Sequence, residues 1–120
     1  MLFRSADLPR VCADADILVA AIGRPGFVTP AFVKPGAAVV DIGTSQVTDR
    51  AMVERLFPPD SKRREAFERR GSIVVGDVHP DVAGIAGALS PVPGGVGPLT
   101  IAMLMMNTIQ SAERRLGLCI

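Results

Sequence analysis

The run "AAVVDIGTSQ", Ala37–Gln46, decides the fold. Its apolar stretch Ala37–Ile42 is broken only by Asp41 and closed by Gly43. Two further runs repeat the pattern, Ile17–Ile22 before Gly23 and Ile73–Val75 before Gly76. Continuous Val/Ile/Ala runs without polar alternation fit strands buried on both faces, as in a parallel sheet covered by helices. Helix signals lie between them. Asp7-Leu8-Pro9 begins a helix through Val11 and Cys12, and Thr29-Pro30 reads as an N-cap before a proline at the first helical position. Thr48-Asp49 starts a helix over Ala51–Phe57, and Ser61–Arg70 reads as an exposed charged helix stopped by Gly71. Strand and helix in alternation make an α/β layer fold. Ligands in such folds sit beyond the carboxyl ends of the strands, which directs attention to Gly23, Gly43 and Gly76-Asp77.

The whole-chain properties narrow the function. With 120 residues, 48% of them apolar, the chain suffices for one small domain with a core. A net charge of +1 leaves no electrostatic footprint for nucleic acid and no polybasic stripe for a membrane, so the expected ligand is a small molecule or another protein. Cys12 and Cys119 lack metal-ligand spacing and read as reduced structural thiols. No metal site is expected. The first ten residues, "MLFRSADLPR", contain no apolar signal core, and the longest apolar run is too short to span a bilayer. A soluble, cytoplasmic protein is the expectation.

Four motifs carry possible chemistry. In "AAIGRPGFV", Ala20–Val28, Gly23, Pro25 and Gly26 form a turn in which main chain can approach a ligand, although an ordinary strand-to-helix turn has the same composition. In "VVDIGTSQ", Val39–Gln46, Gly43-Thr44-Ser45 is an exit loop rich in donors, and Asp41 reads as a buried carboxylate satisfied by loop N–H groups. In "VVGDVHP", Val74–Pro80, Asp77 lies just past a strand end and Pro80 starts a short helix toward Ile85. His79, the lone histidine, reads first as a surface or capping residue, with acid/base work as the alternative. The stretch Phe57–Arg70 is a polar insert whose charges make a solvated face.

The fourth motif, "SPVPGGVGPLTIAMLMMNTI", Ser90–Ile109, sets Pro91, Pro93 and Pro98 among Gly94, Gly95 and Gly97. The prolines stiffen the backbone and the glycines clear side chains from it, a combination suited to a rigid small-molecule cradle. Gly97-Pro98 then starts a helix whose first N–H groups, near Leu99–Ile101, favour an anionic or carbonyl-bearing ligand. The loop is not a phosphate-binding Walker loop, because G-K-[ST] is absent. From Leu99 to Ile109 the helix is apolar on nearly every side, and such a helix needs cover on more than one face. Met103, Met105 and Met106 fit core packing.

Taken together, "ADILVAAIGRPGFV", "VKPGAAVVDIGT", "VVGDV" and "PVPGGVGPLTIAMLMMNT" resemble, in order and spacing, the bifunctional methylenetetrahydrofolate dehydrogenase/methenyltetrahydrofolate cyclohydrolases. The resemblance runs from about Asp7 to Arg115 except for the charged insert, whose length varies in the family. It implies a partial Rossmann-like NAD(P)-binding domain, a parallel sheet flanked by helices, over 1–89. Residues 90–120 would be a folate-site loop and a helix returning to pack on an N-terminal catalytic domain that this stretch lacks.

The resemblance implies that Pro93, Gly94, Gly95, Val96, Gly97, Pro98, Leu99, Thr100 and Ile101 bind the folate substrate. It implies that Gly23, Pro25, Gly43, Thr44 and Thr100 lie against the cofactor, NADP with NAD open. Thr44 departs from the family's usual isoleucine. The family's catalytic tyrosine and lysine have no counterpart, since the chain has no tyrosine and Lys34 and Lys62 belong to other elements. No catalytic residue is therefore assigned. No strand running into a G-x-G-x-x-G or G-R-S turn precedes Asp7. "LFRS" falls where the family has a strand end like H-S-R-T, with Phe3 on the serine and Arg4 on the arginine, so Met1–Ser5 reads as an altered or truncated start. The implied partners are tetrahydrofolate one-carbon derivatives and, in the full-length enzyme, a second copy. The alternative is a non-catalytic nucleotide-binding or interaction module.

Overall fold

The computed structural model describes residues 7–118. Met1–Ser5 and Cys119 lie outside the described residues; Cys12 is a half-buried free thiol. In chain order the elements are α1 (Leu8–Cys12), β1 (Ile17–Ala20), a 3-10 turn at Pro30–Phe32, β2 (Ala38–Asp41), β3 (Ser45–Val47), α2 (Arg50–Leu56), α3 (Lys62–Arg70), β4 (Ile73–Val75), a 3-10 turn at Pro80–Gly84, β5 (Ala88–Leu89) and α4 (Val96–Arg115).

The short helices start where side-chain oxygens cap free backbone donors. Asp7, Asp49 and Ser61 accept from the N–H groups of Arg10, Ala51 and Arg63, and Gly71, at φ 71°, ends α3 in the left-handed conformation. Thr29 departs from expectation: its side chain makes no capping bond, and Pro30 opens a single 3-10 turn.

Strands β1, β2 and β5 form a parallel sheet in the order β1-β2-β5, flanked by helices, with Ala20 level with Asp41 and Val39 level with Leu89. The run Ile73–Val75 does not join it. As β4 it pairs antiparallel with β3, whose first residue, Ser45, was expected to close the exit loop Gly43-Thr44-Ser45. Only three residues separate β2 from β3, too few for the crossover of about a dozen or more that a parallel neighbour needs, so β3 leaves the sheet, and β4 returns beside it as its antiparallel partner. The chain therefore turns out of the sheet after Gly43, and the two-residue β5 takes the parallel position.

Burial on both faces is not met either. Leu18, Ala20 and Val39 face a core with Val28, Val33, Ala37, Val78 and Val82, while Ile17 and Val19 are exposed on the other side of β1.

A second core joins Val47, Val53, Leu56, Phe67, Ile73 and Val75. This corrects the reading of Phe57–Arg70 as only a solvated face: α3 buries Phe67 and half-buries Arg63 and Arg64, with its other charges exposed. Arg63 donates to the carbonyl of Val74 and lies 5.4 Å from the Phe57 ring centre, and burial lowers its guanidinium pKa. Lys34 and Asp16, 2.7 Å apart on the surface, hold each other charged: hydrogen bonding and attraction lower the Asp16 pKa and raise that of Lys34. The pair's contribution fades as pH falls through the lowered Asp16 pKa or rises through the raised Lys34 pKa, and salt screens it.

Helix α4 stands apart. Leu99, Ile101, Leu104, Met105 and Ile109 are each more than half exposed. The Cα radius of gyration is 17.7 Å, where a compact chain of this length has about 14 Å. Its end is well formed: Leu118 N–H donates to Glu113 O and Gly117 N–H to Arg114 O, a Schellman closure with Gly117 at φ 69°. The helix starts at Val96, one residue before the expected Gly97-Pro98. No helix among the described residues is long and apolar enough to cross a membrane.

Phe67→Ala is expected to lower unfolding stability by about 3–5 kcal/mol in urea denaturation. A change within about 0.5 kcal/mol would return α3 to a solvated face.

Candidate functional site

The parallel strands release their loops at one edge. Ile42 N–H donates to Ala20 O (2.9 Å) and Ser90 N–H to Val39 O (3.0 Å), so the exits of β1, β2 and β5 lie side by side. Between the first two runs the segment Gly76–His79. Gly26 N–H donates to Gly76 O, Val28 N–H to Asp77 O and His79 N–H to Val28 O.

Two buried carboxylates fasten these loops. Asp41 Oδ1 accepts from the N–H groups of Gly43 and Asp77, each at 2.9 Å, and its Oδ2 accepts from Val78 N–H at 3.0 Å. Asp77, with no solvent exposure, accepts through Oδ2 from Ile22 N–H at 2.5 Å and Gly23 N–H at 2.8 Å. A carboxylate is tolerated in such burial only when N–H dipoles replace water. The packing is reciprocal. Any Cβ at Gly43 would strike the Asp77 carboxylate, and any Cβ at Gly76 would strike that of Asp41. The expectation of a buried Asp41 satisfied by loop N–H groups is met. Asp77 Oδ1 is buried against Gly43 and has no hydrogen-bond partner among the described residues.

Two clefts flank this interlock. One, of about 390 Å³, is lined by Asp41, Ile42, Thr44, Pro91–Gly97, Thr100 and Ile101. It joins the exit of β2 to the glycine-proline loop and the first turn of α4, and so brings Thr44 and Thr100 together with Pro93, Gly94, Gly95, Val96, Gly97 and Ile101. The Thr100 hydroxyl donates back to Val96 O at 3.2 Å. Pro98 and Leu99 are exposed on the first turn of α4, outside the lining. Gly43 sits behind this cleft, packed on Asp77.

Gly23 and Pro25 line the other cleft, of about 620 Å³, with Arg24, Phe27, Arg55 and His79 among its walls. The Arg24 guanidinium lies 4.4 Å from the Phe27 ring centre. His79 Nδ1 accepts from Asp81 N–H at 3.2 Å, capping the turn Pro80–Gly84, which is the capping role read from the sequence. Sequence reasoning gave Ser90 no role, yet its Oγ accepts from Asp41 N–H at 2.8 Å. Its place as the first hydroxyl after a strand was the available signal, hidden because Ala88–Leu89 is too short to stand out as a strand.

A family model described as "Tetrahydrofolate dehydrogenase/cyclohydrolase, NAD(P)-binding domain" matches residues 2–116. The chain belongs to this family. It is 62% identical over 114 residues to the bifunctional protein FolD of Koribacter versatilis, covering 95% of this chain and 37% of that protein. With the FolD of Solibacter usitatus it shares 53% over 117 residues, covering 97% of this chain and 38% of that protein. It thus spans a little over a third of the length of these relatives.

Among solved structures, the Trypanosoma brucei methylenetetrahydrofolate dehydrogenase-cyclohydrolase, complexed with NADP and an inhibitor, superposes with TM-score 0.67 at 38% identity. That match covers 92% of this chain and 32% of the other. The Campylobacter jejuni FolD superposes with TM-score 0.69 at 32% identity, covering 93% and 32% of the two chains. Family membership and these folds agree with a partial Rossmann-like NAD(P)-binding domain carrying a C-terminal helix.

Gly43→Ala and Gly76→Ala are each expected to cost roughly 2–4 kcal/mol, from overpacking and from loosening a buried carboxylate. At Gly84, where a Cβ meets no atom within 4 Å, alanine should change stability by less than about 1 kcal/mol. Equal urea midpoints for the three variants would contradict the interlock.

Proposed function

We propose that the chain supplies the cofactor wall and part of the folate wall of an enzyme of one-carbon metabolism. That enzyme oxidises 5,10-methylenetetrahydrofolate with NADP and hydrolyses the resulting 5,10-methenyltetrahydrofolate to 10-formyltetrahydrofolate. One observation carries the reading: Thr44, Thr100 and the loop Pro93–Gly97 converge on a single cleft at the carboxyl ends of β2 and β5, where ligands of α/β sheets bind. In this reading Gly23, Pro25, Gly43, Thr44 and Thr100 are cofactor-side positions. Pro93–Ile101 are folate-side positions, with Pro98 and Leu99 meeting the substrate or the neighbouring domain from the first turn of α4.

NADP, when bound, accepts the hydride from the methylene carbon. The protein's own task is to hold cofactor and folate face to face and to keep both from shifting. Gly94, at φ 95°, and the rigid prolines beside it present main chain without flexible side chains to a flat ligand. In this assignment residues 1–89 are part of the cofactor domain. Residues 90–120 are the substrate loop and a helix that buries its apolar faces on a catalytic domain carried in the remaining length of the relatives. The assembled enzyme is placed in the cytoplasm as a homodimer that needs neither nucleic acid nor membrane. The acid/base residues belong to the other domain.

The purified 120-residue chain is therefore expected to form no NADPH from NADP and methylenetetrahydrofolate. Fused behind the N-terminal region of the Koribacter FolD, it is expected to restore methylenetetrahydrofolate-dependent NADPH formation. Turnover by the chain alone would refute the assignment. A monomeric chain that binds NADP tightly and gains no activity from the fusion would favour a nucleotide-binding module.

A further inference from the structure

We infer that Ser90, Asp41 and Asp77 are positioning residues that tie the Gly23 turn to the glycine-proline loop and hold the two at a fixed spacing. Their importance for catalysis rests on the assignment of those loops as cofactor and folate walls; the mechanical link stands on geometry alone.

The link is a continuous chain of hydrogen bonds across the ends of four strands, β5, β2, β4 and β1. Ser90 Oγ accepts from Asp41 N–H at 2.8 Å, directly before Pro91, where the glycine-proline loop leaves the sheet. The Asp41 carboxylate accepts from Asp77 N–H at 2.9 Å and Val78 N–H at 3.0 Å, reaching across to the segment after β4. The Asp77 carboxylate accepts from Ile22 N–H and Gly23 N–H, at the turn after β1. The three steps join residues 49, 36 and 54 positions apart in sequence. Every donor is a backbone N–H, so movement at one step shifts main chain and not merely a rotamer.

Burial makes the chain stiff. Asp41 is 4% exposed and Asp77 fully enclosed, so water does not compete for their N–H partners. The reciprocal contacts of Gly43 with Asp77 and Gly76 with Asp41 leave neither carboxylate room to swing to another acceptor geometry. Asp77 also fixes two successive peptide planes, those donating from Ile22 and Gly23, with one oxygen. Gly23, at φ 75°, is thereby held in the left-handed conformation on the rim of its cleft. Ser90 is the weakest member, a neutral hydroxyl that is half-buried, and its loss strands no charge. It is the place to cut the chain without collapsing the fold.

Amide hydrogen exchange, read by NMR on the 120-residue chain, tests this with Ser90→Ala and Ser90→Thr, alongside urea midpoints. Ser90→Ala is expected to speed exchange at Ile22 and Gly23 by about threefold or more, as coupling between linked sites allows, while Gly71, bonded to Phe67 O in the second core, stays unchanged. Ser90→Thr, which keeps the hydroxyl, is expected to restore the parent rates. Unchanged exchange at Ile22 and Gly23 in Ser90→Ala overturns the inference. So does an equal rise at Gly71, which marks general destabilisation, or an absence of slow exchange at Ile22 and Gly23 in the parent chain. A parallel NADP titration judges the cofactor assignment separately, because the exchange pattern needs no ligand.

Discussion

Two buried carboxylates, Asp41 holding the segment after β4 and Asp77 holding the turn after β1, are the constraint on which the ligand-facing edge of this fold depends. The sheet itself is slight: β1 and β2 have four residues each, and β5 has two. Ladders so short cannot by themselves fix loops that leave their ends. Asp41 and Asp77 fix them with five backbone N–H bonds inside the protein, where hydrogen bonds to a charged acceptor contribute about 1.5–3 kcal/mol each. Glycine is required opposite both carboxylates, at Gly43 and Gly76, because only a backbone without Cβ comes close enough. The D-x-G and G-D pairs are two halves of one device.

The rest of the molecule divides around that device. On one side, the antiparallel pair β3–β4 and helices α2 and α3 carry their own apolar core, which seats Leu56 against the turn at Gly26. On the other, α4 leaves with its apolar residues in solvent. A helix whose Leu, Ile and Met side chains are mostly exposed gains little from tertiary packing, and an apolar surface of this kind normally marks an interface. The chain's share of its relatives' length, a little over a third, fits the proposal that further sequence provides the cover.

Much of this was legible in the sequence, for reasons that can be named. Caps are local chemistry, so Asp7, Asp49, Ser61 and Gly71 were readable as helix ends. Asp41, a lone acid in an apolar strand, had to be satisfied by neighbouring N–H groups. The partners of Ile73–Val75 were not legible. An apolar run of three residues carries no record of whether it pairs parallel or antiparallel, and its partner Ser45–Val47 is too short and polar to stand out as a strand. Ala88–Leu89 has too few residues to signal a strand, so the role of Ser90 at its end was hidden too. In α3 the single Phe67 was masked by the charges around it. The loop Pro91–Pro98 was legible as a rigid cradle, and its convergence with Thr44 on one cleft was visible only once the sheet order was known.

The most direct measurement is amide exchange on the unmodified chain at Gly43, Asp77 and Val78. These residues lie outside every strand and helix, and their N–H groups are bonded to a side-chain carboxylate and not to a ladder. If the interlock organises the strand ends, all three should exchange as slowly as Val39 at the centre of the sheet. Exchange at the rates of open loop amides would mean that the carboxylates follow the loops and do not hold them.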